Sequence, residues 1–375
     1  MDDTPIRRRQ TTYDWWLVFA VAGLCCLGLL SVYSATRFDA RTGLDDTSYI
    51  HKQLLWCGIA VPLALAASRI DYHLVLQRRF LIYSLNIALL LIVLVGGRQE
   101  VKGAQRWIGM GAYRLQPSEF AKLAIIITLA AFLALQHEHI NRPRTVILAF
   151  VHVAVPALII FRQPDLGTAL VVLSIWVAMS YVAGVPARHL VAILLVGLVA
   201  FGALWMTGGI KHYQKERLRV FVNIGADPQG VGYHISQALN AVGSGRLWGK
   251  GLFHGSQGQL GYVPEQHTDF IFTIMGEELG FIGAALVVML YTLLLLRACT
   301  IAARAPDIEG RLLAVGITAM FLYHVVVNIG MNVGMAPVTG VPLPFMSYGG
   351  SSMIVNLLAV GMLQSVRSQQ ARVFL

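Results

Sequence analysis

Long apolar runs alternate with short polar punctuation along the whole chain. The runs are roughly 17 to 25 residues long, the length an α-helix needs to cross about 30 Å of hydrocarbon. Ten are predicted, at about 15–35, 53–68, 80–96, 118–135, 145–161, 166–183, 189–207, 270–297, 311–333 and 349–365. Backbone in lipid must satisfy its own hydrogen bonds, and uninterrupted apolar runs of this length do so as helices. The pattern therefore predicts an all-α polytopic membrane protein of about ten transmembrane helices. One large polar interval, 207–268, separates the seventh from the eighth. No internal repeat or low-complexity linker is visible, so 1–375 is read as one membrane domain, with tails at 1–14 and 366–375.

Composition sharpens this picture. Of 375 residues, 56% are hydrophobic and 13% charged, which excludes disorder and an ordinary soluble domain. The first run follows Arg7, Arg8 and Arg9 as in a signal peptide. No small-residue cleavage site follows it, so it is read as a retained helix. An even number of spans puts both termini on one side. Arg and Lys are densest in the short loops of that side, which is taken as cytoplasmic; 207–268 is then extracytoplasmic. The net charge of +10 leaves a basic surplus outside, suited to an anionic membrane surface or phosphorylated lipid rather than nucleic acid. Cys25, Cys26, Cys57 and Cys299 lie in apolar runs without metal-ligand spacing and are read as packing groups.

Four polar stretches are candidates for chemistry. Before the fourth span, Pro117 marks the first turn of a helix and Ser118 can cap it. Glu119 and Lys122 follow at i and i+3, on one face. They are either an interfacial pair reaching the headgroups or a functional pair, since ionisable groups near hydrocarbon are expensive. After the fifth span, Pro164 and Asp165 form a turn, for which a helix cap at Asp165 is the simplest role. The long interval carries Lys215, Arg217, Arg219, Arg246 and Lys250, a set suited to pyrophosphate, and 236–242 could form a short amphipathic helix. Its GSGRLWGKG run fails as a phosphate loop because Lys250 is followed by Gly251, so its glycines are read as flexibility or close backbone approach. His137 and His139, at i and i+2, do not share a helix face, and no HExxH occurs.

The fourth stretch, GYVPEQHTDFIFTIMGEELG at 261–280, carries charge to the mouth of an apolar run. Asp269 before a helix is most simply a cap, and a carboxylate there is kept ionised by the helix dipole. An ionised carboxylate at a water–lipid boundary can also serve as a general base. Thr273 and Gly276 are expected on its face, with Glu277 deeper and Glu278 on the other side. The Pro- and Gly-dense loop at 336–352 cannot be regular helix and is expected to line a cavity.

Taken together, KGAQRWIGMG, QPSEFAKL, QPDLGTA, GSGRLWGKG…PEQHTDFIF…GEELG and GVPLPFMSYGGSS resemble the SEDS family (shape, elongation, division and sporulation) of bacterial peptidoglycan polymerases. The resemblance covers essentially the whole chain. The run 340–344 is more similar to the elongation branch (RodA) than to the division branch (FtsW). What it implies is an inverting glycosyltransferase of the bacterial cytoplasmic membrane, working on lipid II at the extracytoplasmic face and releasing undecaprenyl pyrophosphate for cell-wall elongation. It implies Asp269 as catalytic, with Glu119, Lys122, Asp165, Arg106 and Trp107 supporting. Arg246 and Lys250 are placed with them as pyrophosphate ligands, and Glu265 and His267 as supporting residues. No cofactor is assigned, although a divalent cation, Mg or Mn, could assist the leaving group. A class B penicillin-binding protein transpeptidase and the elongation machinery are the implied partners. Competing readings are a lipid II flippase, an ion-coupled carrier, a non-enzymatic scaffold, or the division-specific polymerase. A carrier is expected to hold its ionisable residues near the bilayer midplane of several helices.

Overall fold

Ten long helices occupy the ten apolar blocks. The structure is a computed structural model that describes residues 13–37, 47–96, 107–108, 115–208, 212–223, 227, 230–256 and 266–373. The helices, in chain order, are α1 (Trp15–Thr36), α2 (Ser48–Arg69), the short α3 (Tyr72–Gln77), α4 (Arg79–Gly96), α5 (Pro117–Leu135), α6 (Pro143–Arg162), α7 (Leu166–Ala183) and α8 (Ala187–Met206). Two helices of the long interval follow, α9 (His212–Val222) and α10 (Val231–Ser244). The last three are α11 (Ile271–Ala303), α12 (Ile308–Asn332) and α13 (Gly350–Val373). Nine of them are long and apolar enough to cross a membrane. The last block, α13, is long too, but it buries Ser351, Ser352, Asn356, Gln364 and Gln370. It lies inside the bundle, where polar side chains meet partners instead of lipid. Residues 366–373, read from the sequence as the start of the C-terminal tail, continue the helix of α13.

Close approach holds the bundle, because apolar surface gains little by leaving lipid for protein. A Cβ at Gly361 of α13 would stand 2.4 Å from the Ala64 carbonyl of α2, so only glycine permits that crossing. Gly28 of α1 likewise meets Met346 Cα at 2.6 Å, where the final loop threads between helices. Caps are supplied at the helix starts. Asp14 accepts from Leu17 N, and Asp307 accepts from Gly310 N at 2.7 Å. Asp14 also takes Arg297 bidentately (Nη2 at 2.6 Å), while Gln364 hydrogen-bonds both its backbone groups at 2.9 and 3.0 Å. The beginning of α1 and the last third of α13 therefore share one end of the bundle.

At that end a short α3 brings His73 to Asp71 (2.7 Å) and Asp307 (3.2 Å). Burial alone would lower the imidazole's pKa, but the hydrogen bond to Asp71 and the charges of Asp307 and Asp71 raise it overall. A raised folded-state pKa means protonation favours the folded state. The pair's contribution is full below the ordinary value of about 6.5 and is lost as pH rises through the higher folded value. Thermal unfolding in detergent should thus show a melting temperature that falls across that window. His73→Gln should flatten the slope.

The long interval is not an open loop. Val220, Ile235, Ala238, Ala241, Phe270, Met331 and Val338 form a small core of their own. The predicted helix at 236–242 is longer than expected, and α9 was not anticipated. Both are stabilised by apolar contacts from segments far along the chain, which local spacing does not carry.

Candidate active site

Asp269 lies where that small core meets the main bundle, and it is partly exposed. It is not the cap of α11. The cap position is Phe270, which has no side-chain cap bond, because burial of Phe270 in the small core moves the helix start one residue on. Asn332 of α12 replaces the cap: its Oδ1 accepts Thr273 N at 3.1 Å and Thr273 Oγ1 at 2.6 Å. Asn332 Nδ2 and Asn328 Nδ2 in turn donate to the Asp269 carbonyl at 3.1 and 3.0 Å. The backbone around Asp269 is fixed from outside its own helix, so the carboxylate does not have to serve as a cap. The polar lining expected from Thr273 and Gly276 does not form: Thr273 is buried, and Gly276 faces Val242 of α10.

A second polar system reaches the same place through the final loop. Lys122 is fully buried and donates to both oxygens of buried Glu119 at 2.8 and 2.9 Å. Its third contact is His324 Nε2 at 3.0 Å. His324 Nδ1 lies 2.9 Å from the Pro342 carbonyl, which fixes it as the protonated nitrogen and leaves Nε2 to accept from Lys122. One residue earlier, the Val341 carbonyl accepts Asn328 Nδ2 at 2.8 Å. A chain of hydrogen bonds thus runs from the Glu119–Lys122 pair through His324, the loop backbone and Asn328 to the backbone of Asp269. The interfacial reading of the pair fails, because both groups are enclosed by protein. So does direct contact of Lys122 with a leaving group, because its ammonium is spent internally.

Asp165 caps α7, accepting Thr168 N at 3.2 Å and Thr168 Oγ1 at 3.0 Å. It also receives Gln116 Nε2 at 3.3 Å and Ser118 Oγ at 3.4 Å. Ser118 is not the cap of α5, because Gln116 holds that position and Pro117 comes first in the helix. Two residues past Asp165, a Cβ on Gly167 would stand 2.6 Å from Val341 Cγ2 and 2.9 Å from the Thr339 carbonyl. Glu119, Lys122, Asp165 and Asp269 therefore converge on 339–342. The same segment brings in Arg217 of α9. A Cβ at Gly340 would meet Asp269 Oδ2 at 3.4 Å and Arg217 Nη1 at 3.8 Å. His267 braces the loop's far side: its carbonyl accepts Tyr348 N at 2.8 Å, and its ring lies 4.9 Å from that of Tyr49. Trp107 is exposed beside the bridge of Ile108 with Leu115.

Arg246 and Lys250 belong to another cluster, eight residues along α11. That helix is broken at Gly280 (φ 63°, ψ −159°), a conformation essentially restricted to glycine. The break leaves carbonyls unpaired before it and N–H groups unpaired after it. The glycine-rich run fills both vacancies. Lys250 N and Gly251 N donate to the Glu277 and Glu278 carbonyls at 3.0 Å each, while Phe281 N and Ile282 N donate to the Arg246 and Leu247 carbonyls at 2.8 and 3.3 Å. Close backbone approach, not phosphate binding, is what the glycines provide. Lys250 Nζ donates to buried Glu277 at 2.6 Å and to Ser256 at 2.7 Å. Glu278 accepts from Ser34 Oγ. The expected separation of Glu277 and Glu278 is also corrected. A Cβ at Gly255 would lie 3.1 Å from Glu277 Oε2 and 3.2 Å from Glu278 Oε1, so the chain after the glycine-rich run passes beside both carboxylates.

Gly280→Ala should cost about 1–3 kcal/mol for the backbone conformation alone. Its Cβ would also stand 2.3 Å from Gly249 N. Equilibrium denaturation in mixed micelles should register the loss, with Gly243→Ala, which meets nothing within 4 Å, as the control.

Arg106 and Glu265 lie outside the described residues. Among those described, no three His, Cys, Asp or Glu side chains are placed to hold a metal ion, so no step is assigned to one here. The sequence placed Arg217 only among the cations suited to pyrophosphate, and spacing singled out none of His324, Asn328 and Asn332 for the site. The last three recur at intervals of four on one face of an apolar helix, a polar stripe that was readable in the sequence.

Comparison with known proteins agrees with this architecture. The FtsW/RodA/SpoVE family model, described as cell cycle protein, matches residues 15–372. Stage V sporulation protein E of Bacillus subtilis (strain 168) is 41% identical over 361 residues, covering 96% of this chain and 98% of the relative. Peptidoglycan glycosyltransferase MrdB of Escherichia coli (strain K12) is 39% identical over 372 residues, covering 99% and 98%. A solved chain described under "Structural coordination of polymerization and crosslinking by a peptidoglycan synthase complex" superposes with a TM-score of 0.79 at 32% identity, covering 96% of this chain and 98% of that one. With a family match over nearly its full length, this multi-pass membrane protein belongs to the FtsW/RodA/SpoVE family, the SEDS family its motifs resemble.

Proposed function

We propose that the chain is a peptidoglycan glycosyltransferase that polymerises lipid II into glycan strands for cell-wall elongation, with Asp269 as its general base. The observation that carries this reading is the placement of Asp269. Its backbone is pinned by Asn328 and Asn332, its helix is capped by Asn332, and its carboxylate sits beside Arg217 at Gly340.

In the proposed step, Asp269 takes the proton of the acceptor N-acetylglucosamine 4-hydroxyl. The freed electron pair on that oxygen forms a bond to C1 of the donor N-acetylmuramic acid. The bond from C1 to the pyrophosphate oxygen breaks with its electron pair, configuration inverts, and undecaprenyl pyrophosphate departs. Arg217 is the cation beside the base. It is positioned to meet charge developing on the pyrophosphate. Glu119, Lys122 and His324 hold the 339–342 wall and touch no substrate. Both termini lie in the cytoplasm and the Asp269 end faces outward. Outside, a class B penicillin-binding protein transpeptidase crosslinks the product, in keeping with the synthase complex the chain superposes on.

The competing reading is a flippase, and the enclosed Glu119–Lys122–His324 group inside the bundle is the feature that favours it. Purified protein given lipid II in detergent, with and without a transpeptidase partner, separates the two, because micelles have no sides to flip between. Glycan polymer is expected. Failure to polymerise with either preparation, together with transbilayer movement in liposomes, would overturn the enzyme.

A further inference from the structure

At the end of the bundle away from Asp269, the outer faces of α7, α11 and α12 line an open recess of about 380 Å³. That volume is within the range of small-ligand pockets. Its walls are apolar and mostly short, including Ala178, Val182, Ala302 and Ala319, with Cys299 among them. A single charged residue, Arg311, lines it. Arg311 is exposed and makes no ion pair among the described residues, and the same holds for Arg304 at the end of α11. The nearby carboxylates are turned away: Asp307 binds Tyr72 and His73, and Glu309 faces His73 at 3.9 Å.

An apolar slot with one unpaired guanidinium at its mouth has the two-part chemistry of a phospholipid. We propose that this recess is a binding site for an anionic glycerophospholipid. An acyl chain lies against the alanines, and the phosphate pairs with Arg311, whose planar donors match it. A zwitterionic lipid would fill the same slot but bring its own cation to the arginine, so charge selects between them.

The probe is phosphatidylglycerol, compared with phosphatidylcholine of the same chains, added to the full-length protein in detergent and followed by native mass spectrometry. About fivefold preferential retention of phosphatidylglycerol is expected, the discrimination that one juxtamembrane basic residue supplies. Arg311→Gln should bring the ratio to about one, while Ala319→Phe should reduce retention of both lipids. A second arm uses the native chain alone. Maleimide labelling of Cys299, read by peptide mass spectrometry, should slow severalfold with phosphatidylglycerol and not with phosphatidylcholine. Equal retention of the two lipids, an unchanged ratio in a folded Arg311→Gln, or Cys299 labelling indifferent to phosphatidylglycerol would each overturn the site.

Discussion

Asp269→Asn should abolish polymerisation while leaving the protein folded and able to bind lipid II. The asparagine keeps the shape of the side chain, and the backbone carbonyl of residue 269 keeps its bonds to Asn328 and Asn332. Neither does the start of α11 depend on this side chain, because Asn332 supplies the cap. What is lost is the group proposed to accept the hydroxyl proton. General-base assistance is typically worth about 10²–10⁴-fold in rate. The measurement is polymer formed per minute by purified variant and parent, alongside their melting temperatures. Parental polymerisation by the variant would remove Asp269 from the chemistry. Equal losses of rate and of stability would make it a structural residue instead.

The second large effect concerns the buried pair. Removing either partner of an enclosed ion pair leaves an uncompensated charge and typically costs about 3–5 kcal/mol. Glu119→Gln and Lys122→Met are each expected in that range by equilibrium denaturation in mixed micelles. The double variant Glu119→Gln/Lys122→Met should be less destabilised than either single one, since no charge remains without a counterpart. Lys122→Met also takes the donor from His324 Nε2, so the 339–342 wall should loosen and activity should fall further than stability alone explains. A double variant whose loss equals the sum of the singles would mean that the two groups do not act as a pair.

What the chain reveals by itself is the membrane body. Apolar runs of spanning length, nine of which form helices apolar enough to cross a membrane, lead to helices because each backbone must bond within its own segment before any neighbour arrives. The same logic marked the Pro-rich final loop as non-helical and the pairing of Glu119 with Lys122, both being matters of local spacing. The polar stripe of His324, Asn328 and Asn332 was equally visible.

Tertiary structure decided the rest. The break at Gly280 is invisible in an apolar run, because a glycine there is ordinary until distant groups receive its unpaired neighbours. Those groups are the backbone of 246–251, which no periodicity links to α11. The helical content of the long interval likewise depends on Phe270, Met331 and Val338, residues brought to α9 and α10 only by the fold. The candidate base follows the same rule. Local spacing makes Asp269 a helix cap, since a carboxylate before a helix has nothing nearer to bond. Asn332, 63 residues later, takes the cap, and the Thr339 to Pro342 backbone is the segment that meets the helix of Asp165, His324 with its Lys122, and, at Gly340, both Arg217 and the Asp269 carboxylate. Sequence supplied the groups. Contacts at long separation, which local pattern cannot encode, determined where each of them sits.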